Sequence, residues 1–366
     1  MADFHPLETQ NPYPQVVGLT LDLISQPDTD AWTIKAQLRR PGQWLSLLSG
    51  QIKVGVRAAT LQLTGKGGTL TDTTDLPPYI DRGYHSPSEG RWHIHFPDTL
   101  EPLILTLGCL TPTASVSPWQ ATLTIQTQDV AIAEGQGLWP PDLSPNKLAI
   151  GDRLIAHFLV HDWFAPVVSW SQWVLGATPV WQPLYTLPDA EDLRQKEAIL
   201  GDRLRELIQT TESDLIVLAQ AVALDPQRDL AGGKFVGANL SGLDLNGANL
   251  TGSNFRGAIL TDADLSGANL AGSNFRGADL SGAYLEGANL TQGDLRKSSL
   301  ALANLIGADL TEANLQGTTL NSANFSAANL SQTQLGDNPG LTAEQQTKLI
   351  EQGAKFSPEP AQEMLS

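Results

Sequence analysis

Ser253-Asn254-Phe255-Arg256-Gly257-Ala258 and, twenty residues on, Ser273-Asn274-Phe275-Arg276-Gly277-Ala278 are the same hexapeptide. A five-residue beat runs through and around them without a slip. From Leu230 to Leu335 every fifth residue is Leu or Phe, 18 Leu and 4 Phe over 22 positions. Two residues before each centre, Ala fills 13 positions and Gly, Ser or Thr fill 7, with Arg228 and Leu243 as the departures. Two residues after the centre, 13 of the 22 positions are Gly. Asn or Asp usually precedes the centre, as in Ala238-Asn239-Leu240-Ser241-Gly242.

An offset of two places the small residue and the Leu or Phe on the same side of an extended backbone. The other residues then point outward. A period of five fits neither a helix nor a long strand, so the chain must turn after each short extended piece. Gly, Asn and Asp supply the turn conformations. Four such sides close a square coil of twenty residues, and stacked coils pair their backbones while the Leu ladders fill the interior. Phe235, Phe255 and Phe275 then share one inner face, with Arg256, Arg276 and Arg296 stacked outside it. After residue 290 only Gly307 and Gly317 remain at the turn positions, which predicts a change of turn type there.

On these motifs residues 228–337 resemble a pentapeptide-repeat protein of the cyanobacterial type. The resemblance covers 110 of 366 residues. It implies a right-handed quadrilateral β-helix. One branch of that family binds topoisomerases by mimicking DNA.

The rod's ends need covers, because stacked coils expose an apolar face at each terminus. Thr342 with Gln345 reads as a capping box opening a helix from Ala343 to Gln352, with Leu349 and Ile350 over the last coil. Upstream, a helix from Ser213 to Leu224 is expected to cover the first coil with Leu215, Ile216, Leu218, Ala219 and Val222. A polar helix from Asp189 to Gln209 precedes it, with Leu193, Leu200, Leu204 and Leu207 on one side.

Residues 14–160 read as β. Ile52, Val54 and Val56 alternate with polar or small residues, as do Leu61 with Leu63 and Trp92 with Ile94 and Phe96. Short strands between Gly/Pro/Asp loops suggest an antiparallel sandwich or barrel. Gly65-Lys66-Gly67-Gly68 reads as a hairpin turn, since Lys66 lacks the preceding glycine of a phosphate-binding loop. All nine Trp lie before residue 182. The segments expected are therefore a β-rich domain (1–147), a Trp-rich segment and helical linker that serves as N-terminal cap (148–227), the β-helix (228–337), and a capping helix with tail (338–366). The linker segment also resembles parts of cyanobacterial proteins of unknown function, which implies no activity.

Charge narrows the functions. The chain carries −17, and no segment is basic: 1–185 holds 10 basic and 16 acidic residues, and the rod 6 and 10. That argues against nucleic-acid binding through phosphates and against an anionic membrane surface. The N-terminus lacks a signal peptide's basic and apolar regions, and no apolar stretch is long enough for a span, so a cytoplasmic protein is expected. Cys109 is the single cysteine, which excludes an internal disulfide and a Cys-based zinc site, and it reads as a buried inert thiol.

His93 with His95 on one strand face, and His157 with His161 at i and i+4 on a stretch that reads as helical from His157, could each supply two metal ligands, but nothing at a telling spacing completes either set. No nucleophile elbow, dinucleotide fingerprint or paired-carboxylate signature occurs. The sequence therefore points to a non-enzymatic scaffold or adaptor without metal or cofactor, its partner a protein of unknown identity. Arg256, Arg276 and Arg296 are the candidate interaction residues. The same column also reads as a solvated face with local partners such as Asp294. The alternatives are a ligand-binding or enzymatic β domain with the rod as spacer, and DNA mimicry through Asp244 and Asp264. Mimicry needs a strongly negative rod, and this one carries only −4.

Overall fold

The structure is a computed structural model that describes residues 5–8, 18–26, 32–39, 44–48, 50–65, 68–72, 77, 80–86, 88–96, 103–112, 119–163, 171–173 and 190–356. It divides into two compact units. One comprises residues 1–138 and 156–199, the other 139–155 and 200–366.

The first unit is built from small antiparallel sheets. Its strands are β1 (His5–Glu8), β2 (Gly18–Ser25), β3 (Trp32–Arg39), β4 (Trp44–Leu47), β5 (Gly50–Val56), β6 (Ala58–Gly65) and β7 (Gly68–Asp72). Beyond these come β8 (Ile80–Ser86), β9 (Glu89–His95), β10 (Leu103–Pro112), β11 (Trp119–Thr124), β12 (Val130–Gln136) and β13 (Ser171–Trp173). They pair in the orders β1-β2-β3-β10-β7, β13-β11-β6-β9-β8 and β12-β5-β4.

The alternation seen in the sequence holds where one face is buried. Ile52, Val54, Val56, Leu61, Leu63, Trp92 and Ile94 are all buried. Pairing differs from expectation at one corner. The strands flanking Lys66, β6 and β7, lie in different sheets, so they do not form a hairpin. Lys66 itself lies outside the described residues. In β10 a register shift between Thr106 and Gly108 changes which residues face inward. Leu105, Leu107 and Leu110 are buried, while Cys109 is half-exposed and accepts a 3.1 Å hydrogen bond from Gln26 Nε2. The expectation of a buried thiol is corrected accordingly.

The β reading of residues 14–160 fails at its far end, where α1 (Pro145–Phe158) is a helix. Pro145 suits a first helical turn because its missing N–H would have no partner there. Ser144 precedes it and accepts from Lys147 N through its Oγ at 3.4 Å.

The second unit holds the coils. Parallel bridges join residues twenty apart, from Lys234↔Asn254 to Asn314↔Gln334. The centre N–H donates up the stack, as Leu240 N does to Ile259 O at 2.7 Å. The next coil returns the bond, as Asn254 N does to Gly233 O at 2.8 Å. Phe235, Phe255 and Phe275 stack inside with ring centroids 4.9 and 4.7 Å apart and no exposure. The residues before the centres act as turn acceptors: Asn239 Oδ1 takes the N–H of Ser241, and Asp264 Oδ1 that of Ser266. Leu243, the departure from the small-residue rule, stays in register half-buried, its carbonyl accepting from Asp264 N.

The turn type does not change after residue 290. Every turn position keeps a positive φ, including Gln292 (58°), Lys297 (59°), Leu302 (62°) and Glu312 (61°). Stacking imposes the turn where glycine is absent: Gln292 N still donates to Thr311 O, and Leu302 N to Asn321 O. The left-handed region costs an ordinary L-residue roughly 1–2 kcal/mol and Asn less. Leu302 is also 70% exposed. Leu302→Asn should therefore stabilise the rod by up to ~1 kcal/mol, read as a small rise in melting temperature.

Both ends of the coil stack carry helices. The preceding α2 (Ala190–Gln209) buries Leu200, Leu204 and Leu207. Lys147 Nζ in α1 caps its C-terminal end, donating to the carbonyls of Ile208 and Thr210. Helix α3 (Leu215–Ala221) opens at Asp214, not Ser213, because the Asp214 carboxylate accepts from Ile216 N and Val217 N. Leu215, Leu218, Ala219 and Val222 are buried as expected, whereas Ile216 is only half-buried. At the other end α4 (Ala343–Glu351) opens with the expected reciprocal Thr342–Gln345 box. Leu349 is buried, but Ile350 is 45% exposed and is not part of the cover. A parallel pair, β14 (Gln334–Leu335) with β15 (Lys355–Phe356), follows.

Candidate interaction surface

The coil register assigns every outward residue of the rod to a side. One side has its centres at Phe235, Phe255, Phe275, Leu295, Leu315 and Leu335. It carries Lys234, Arg256, Arg276, Arg296 and Lys297, which are five of the six Lys and Arg between residues 228 and 337. The other three sides carry Asp229, Asp244, Asp262, Asp264, Asp279, Glu286, Asp309 and Glu312, with Arg228 as their single cation. Segregation of this kind was present in the sequence, but only the twenty-residue register makes it visible.

The three candidate arginines are not equivalent. Arg296 grips Asp294 with two bonds, Nε at 2.8 Å and Nη2 at 2.7 Å from its oxygens. This bidentate pair holds the Asp294 carboxyl below its usual range, with a further contribution from the charge of Arg276. The local-partner reading thus applies to Arg296. Arg256 and Arg276 are exposed, and neither forms an ion pair among the described residues. Their backbone N–H groups are held by Asn254 Oδ1 (3.2 Å) and Asn274 Oδ1 (3.0 Å), which fixes where both side chains start.

On the side whose centres include Leu245, Leu265 and Leu285, the corresponding column reads Asp244, Asp264, Tyr284. Asp244 and Asp264 form a direct parallel bridge. Hydrogen bonds from the Ser266 side chain and backbone hold the Asp264 carboxyl below its usual range. Tyr284 is 53% exposed.

The histidines fall elsewhere. His93 and His95 lie on the outer face of β9 with rings 4.7 Å apart, and Thr60 Oγ1 is 3.1 Å from His93 Nδ1. The rings of His157 and His161 are 4.3 Å apart, and His161 Nε2 is 3.3 Å from Thr127 Oγ1. Among the described residues no three His, Cys, Asp or Glu side chains stand close enough to share a metal ion.

Two buried carboxyls had no sequence signal. Asp129 closes a short 3-10 turn beside β12, and burial pushes its pKa up to about 6 against the pull of the Gln126 N–H, His95 and Arg57. Asp152 of α1 is raised to about 6 by burial, opposed by the charges of Lys234 and Arg153. Arg153 is itself buried and donates to the Ala231 carbonyl of the first coil.

A stack of four-bridged coils closed by helices defines a β-helical repeat region. The family is specific: residues 229–262, 263–300 and 303–337 match the pentapeptide repeats. Residues 229–337 are a pentapeptide-repeat region, and that match leaves the N-terminal part unassigned. Among solved structures, a pentapeptide repeat protein of the cyanobacterium Cyanothece is 27% identical over 30% of this chain and 91% of its own, with a TM-score of 0.27. One from the Arabidopsis thaliana thylakoid lumen is 35% identical over 32% and 80%, with a TM-score of 0.21. The Nostoc protein HetL, involved in heterocyst differentiation regulation, is 29% identical over 30% and 62%, with a TM-score of 0.17. Comparison with curated proteins gives no match. No helix among the described residues is long and apolar enough to cross a membrane.

Proposed function

We propose that the protein is a non-enzymatic, cytoplasmic interaction scaffold, its rod a right-handed quadrilateral β-helix and its β unit a sandwich-like or barrel-like domain. The observation that carries the proposal is the exposed Arg256 and Arg276 pair on a side that gathers nearly all the rod's cations. Stacked like charges at ~5 Å repel one another, and an anionic protein surface relieves that repulsion. The net charge of −17 makes a polyphosphate partner a poor match. Eight of the rod's ten acids are spread over three sides, with Asp294 and Asp337 on the arginine side, which supports a scaffold over mimicry of DNA.

Capture of partners from the native cell by tagged full-length protein tests this. Arg276→Glu should cut partner recovery several-fold and leave the melting temperature nearly unchanged. The unmodified protein should not inhibit DNA gyrase supercoiling. Inhibition at micromolar protein, removed by Asp244→Ala with Asp264→Ala, would replace the scaffold with the mimic. Undiminished capture by Arg276→Glu would reduce the arginine column to a solvated face.

A further inference from the structure

Opposite sides of a four-sided coil lie ten residues apart, and the chain runs along them in opposite directions. The column one residue after the centre on one side therefore lies directly behind the column one residue before the centre on the other. Arg256, Arg276 and Arg296 occupy the first of these columns, and Asp244, Asp264 and Tyr284 the second. Both advance by one coil, ~4.8 Å, per residue.

We propose that the arginine side of the rod docks a second copy of this chain, laterally and in parallel, on its Asp244–Asp264 side. The inference rests on reading the arginine side as a docking surface. Moving one copy sideways, with a slide of half a coil or roughly 2.4 Å, brings Arg256 over Asp244 and Arg276 over Asp264. The same register sets Arg296 over the exposed Tyr284 ring, an arrangement that favours a cation over an aromatic face. It also faces Glu286 with Asp294, whose charge Arg296 already offsets.

Pitch is what selects a second copy. A column of carboxylates at the coil spacing exists only where strands are stacked in register, and this chain carries one. A partner with another spacing would meet one arginine and miss the next. The overall charge of −17 opposes self-association, but at physiological salt charges more than ~8 Å apart are largely screened, so the facing columns dominate. The two surfaces are different and opposite, so the contact is head-to-tail and does not close: it builds rows, not a dimer.

Sedimentation of the full-length protein at about 50 mM and about 500 mM salt tests the proposal. At low salt the sedimentation coefficient should grow with protein concentration, and high salt should abolish the growth. Arg276→Glu and Asp264→Arg should each weaken association at least tenfold. The double variant, Arg276→Glu with Asp264→Arg, should restore it, because the pair is re-formed with its signs exchanged. Thermal melts of the variants confirm that each is folded. A single monomeric species at low salt up to ~100 μM protein, or association indifferent to Arg276→Glu, overturns the proposal. If the chain stays monomeric while its capture of another protein still depends on Arg276, the occupant is that protein and this inference falls alone. If capture and association are both indifferent to Arg276→Glu, the docking surface falls with it.

Discussion

Phe255→Ala should lower the stability of the rod by ~3–5 kcal/mol, the range for truncating a buried aromatic ring. Phe255 is the middle ring of three, stacked on Phe235 at 4.9 Å and Phe275 at 4.7 Å with interplanar angles of 14° and 6°. Its removal opens a void bounded by both neighbours. Each coil touches only the coils beside it, so the interior has no other element to collapse into the gap. Thr251→Ala is the matched control on the outside. Thr251 Oγ1 donates only to Asn249 Oδ1, 2.8 Å away in the same turn, and its loss should stay within about 0.5 kcal/mol. Thermal or chemical denaturation of the two variants checks the register: comparable shifts would mean that the faces are assigned wrongly.

Arg153→Met is the second large effect. Arg153 is buried, donates to the Ala231 carbonyl and offsets the charge of buried Asp152. Removing Arg153 leaves the Asp152 charge opposed by Lys234 alone and the Ala231 carbonyl orphaned, at a cost of ~3–5 kcal/mol. The loss should depend on pH. Burial raises the folded pKa of Asp152 to about 6, above its unfolded value, so ionisation of this group opposes folding. Its contribution is fully present below the unfolded pKa and is lost as pH rises through about 6. Taking away the Arg153 charge moves that loss to higher pH and deepens it. Melting temperatures from pH 4 to pH 8 should show Arg153→Met diverging from the parent as pH rises. Adding Asp152→Leu should recover most of the difference, because an apolar pair no longer contains a buried charge.

The two units differ in how far local sequence determines them. In the rod, one pentapeptide carries its core residue, its small residue and its turn, so period alone yields the register, the Phe stack and the arginine column. The error there was to treat each turn as local. Gln292, Lys297 and Leu302 adopt the glycine conformation because the next coil binds their N–H groups, and stacking outweighs propensity. In the β unit, alternation in Ile52–Val56 and Trp92–Ile94 identifies strands and their buried faces but not their neighbours. Strands β6 and β7 are separated by two residues and still join different sheets, because each pairs with distant segments. Apart from its end at His157, helix α1 had no sequence reading, because every residue from Ala149 to Ala156 is buried, which blurs the one-sided pattern that marks a surface helix. Only the Ser144-Pro145 start could have announced it. The candidate arginines were legible as a column, but their inequality was not, since it depends on Asp294 reaching Arg296 and no further.

The identity of residues 253–258 and 273–278 sets the step in which such a rod can change length. Excising Ala258 through Gly277 would join Gly257 to Ala278 and regenerate the same hexapeptide, leaving a rod one coil shorter with every downstream side unchanged. An insertion of a single pentapeptide would be equally silent to the leucine beat. It would nevertheless carry everything beyond it around to the adjoining side and break the arginine column in two. In a lineage of such proteins, gains and losses of whole coils preserve the surface, while gains and losses of single repeats scramble it without unfolding anything. Selection on the arginine column would therefore appear as indels in multiples of twenty.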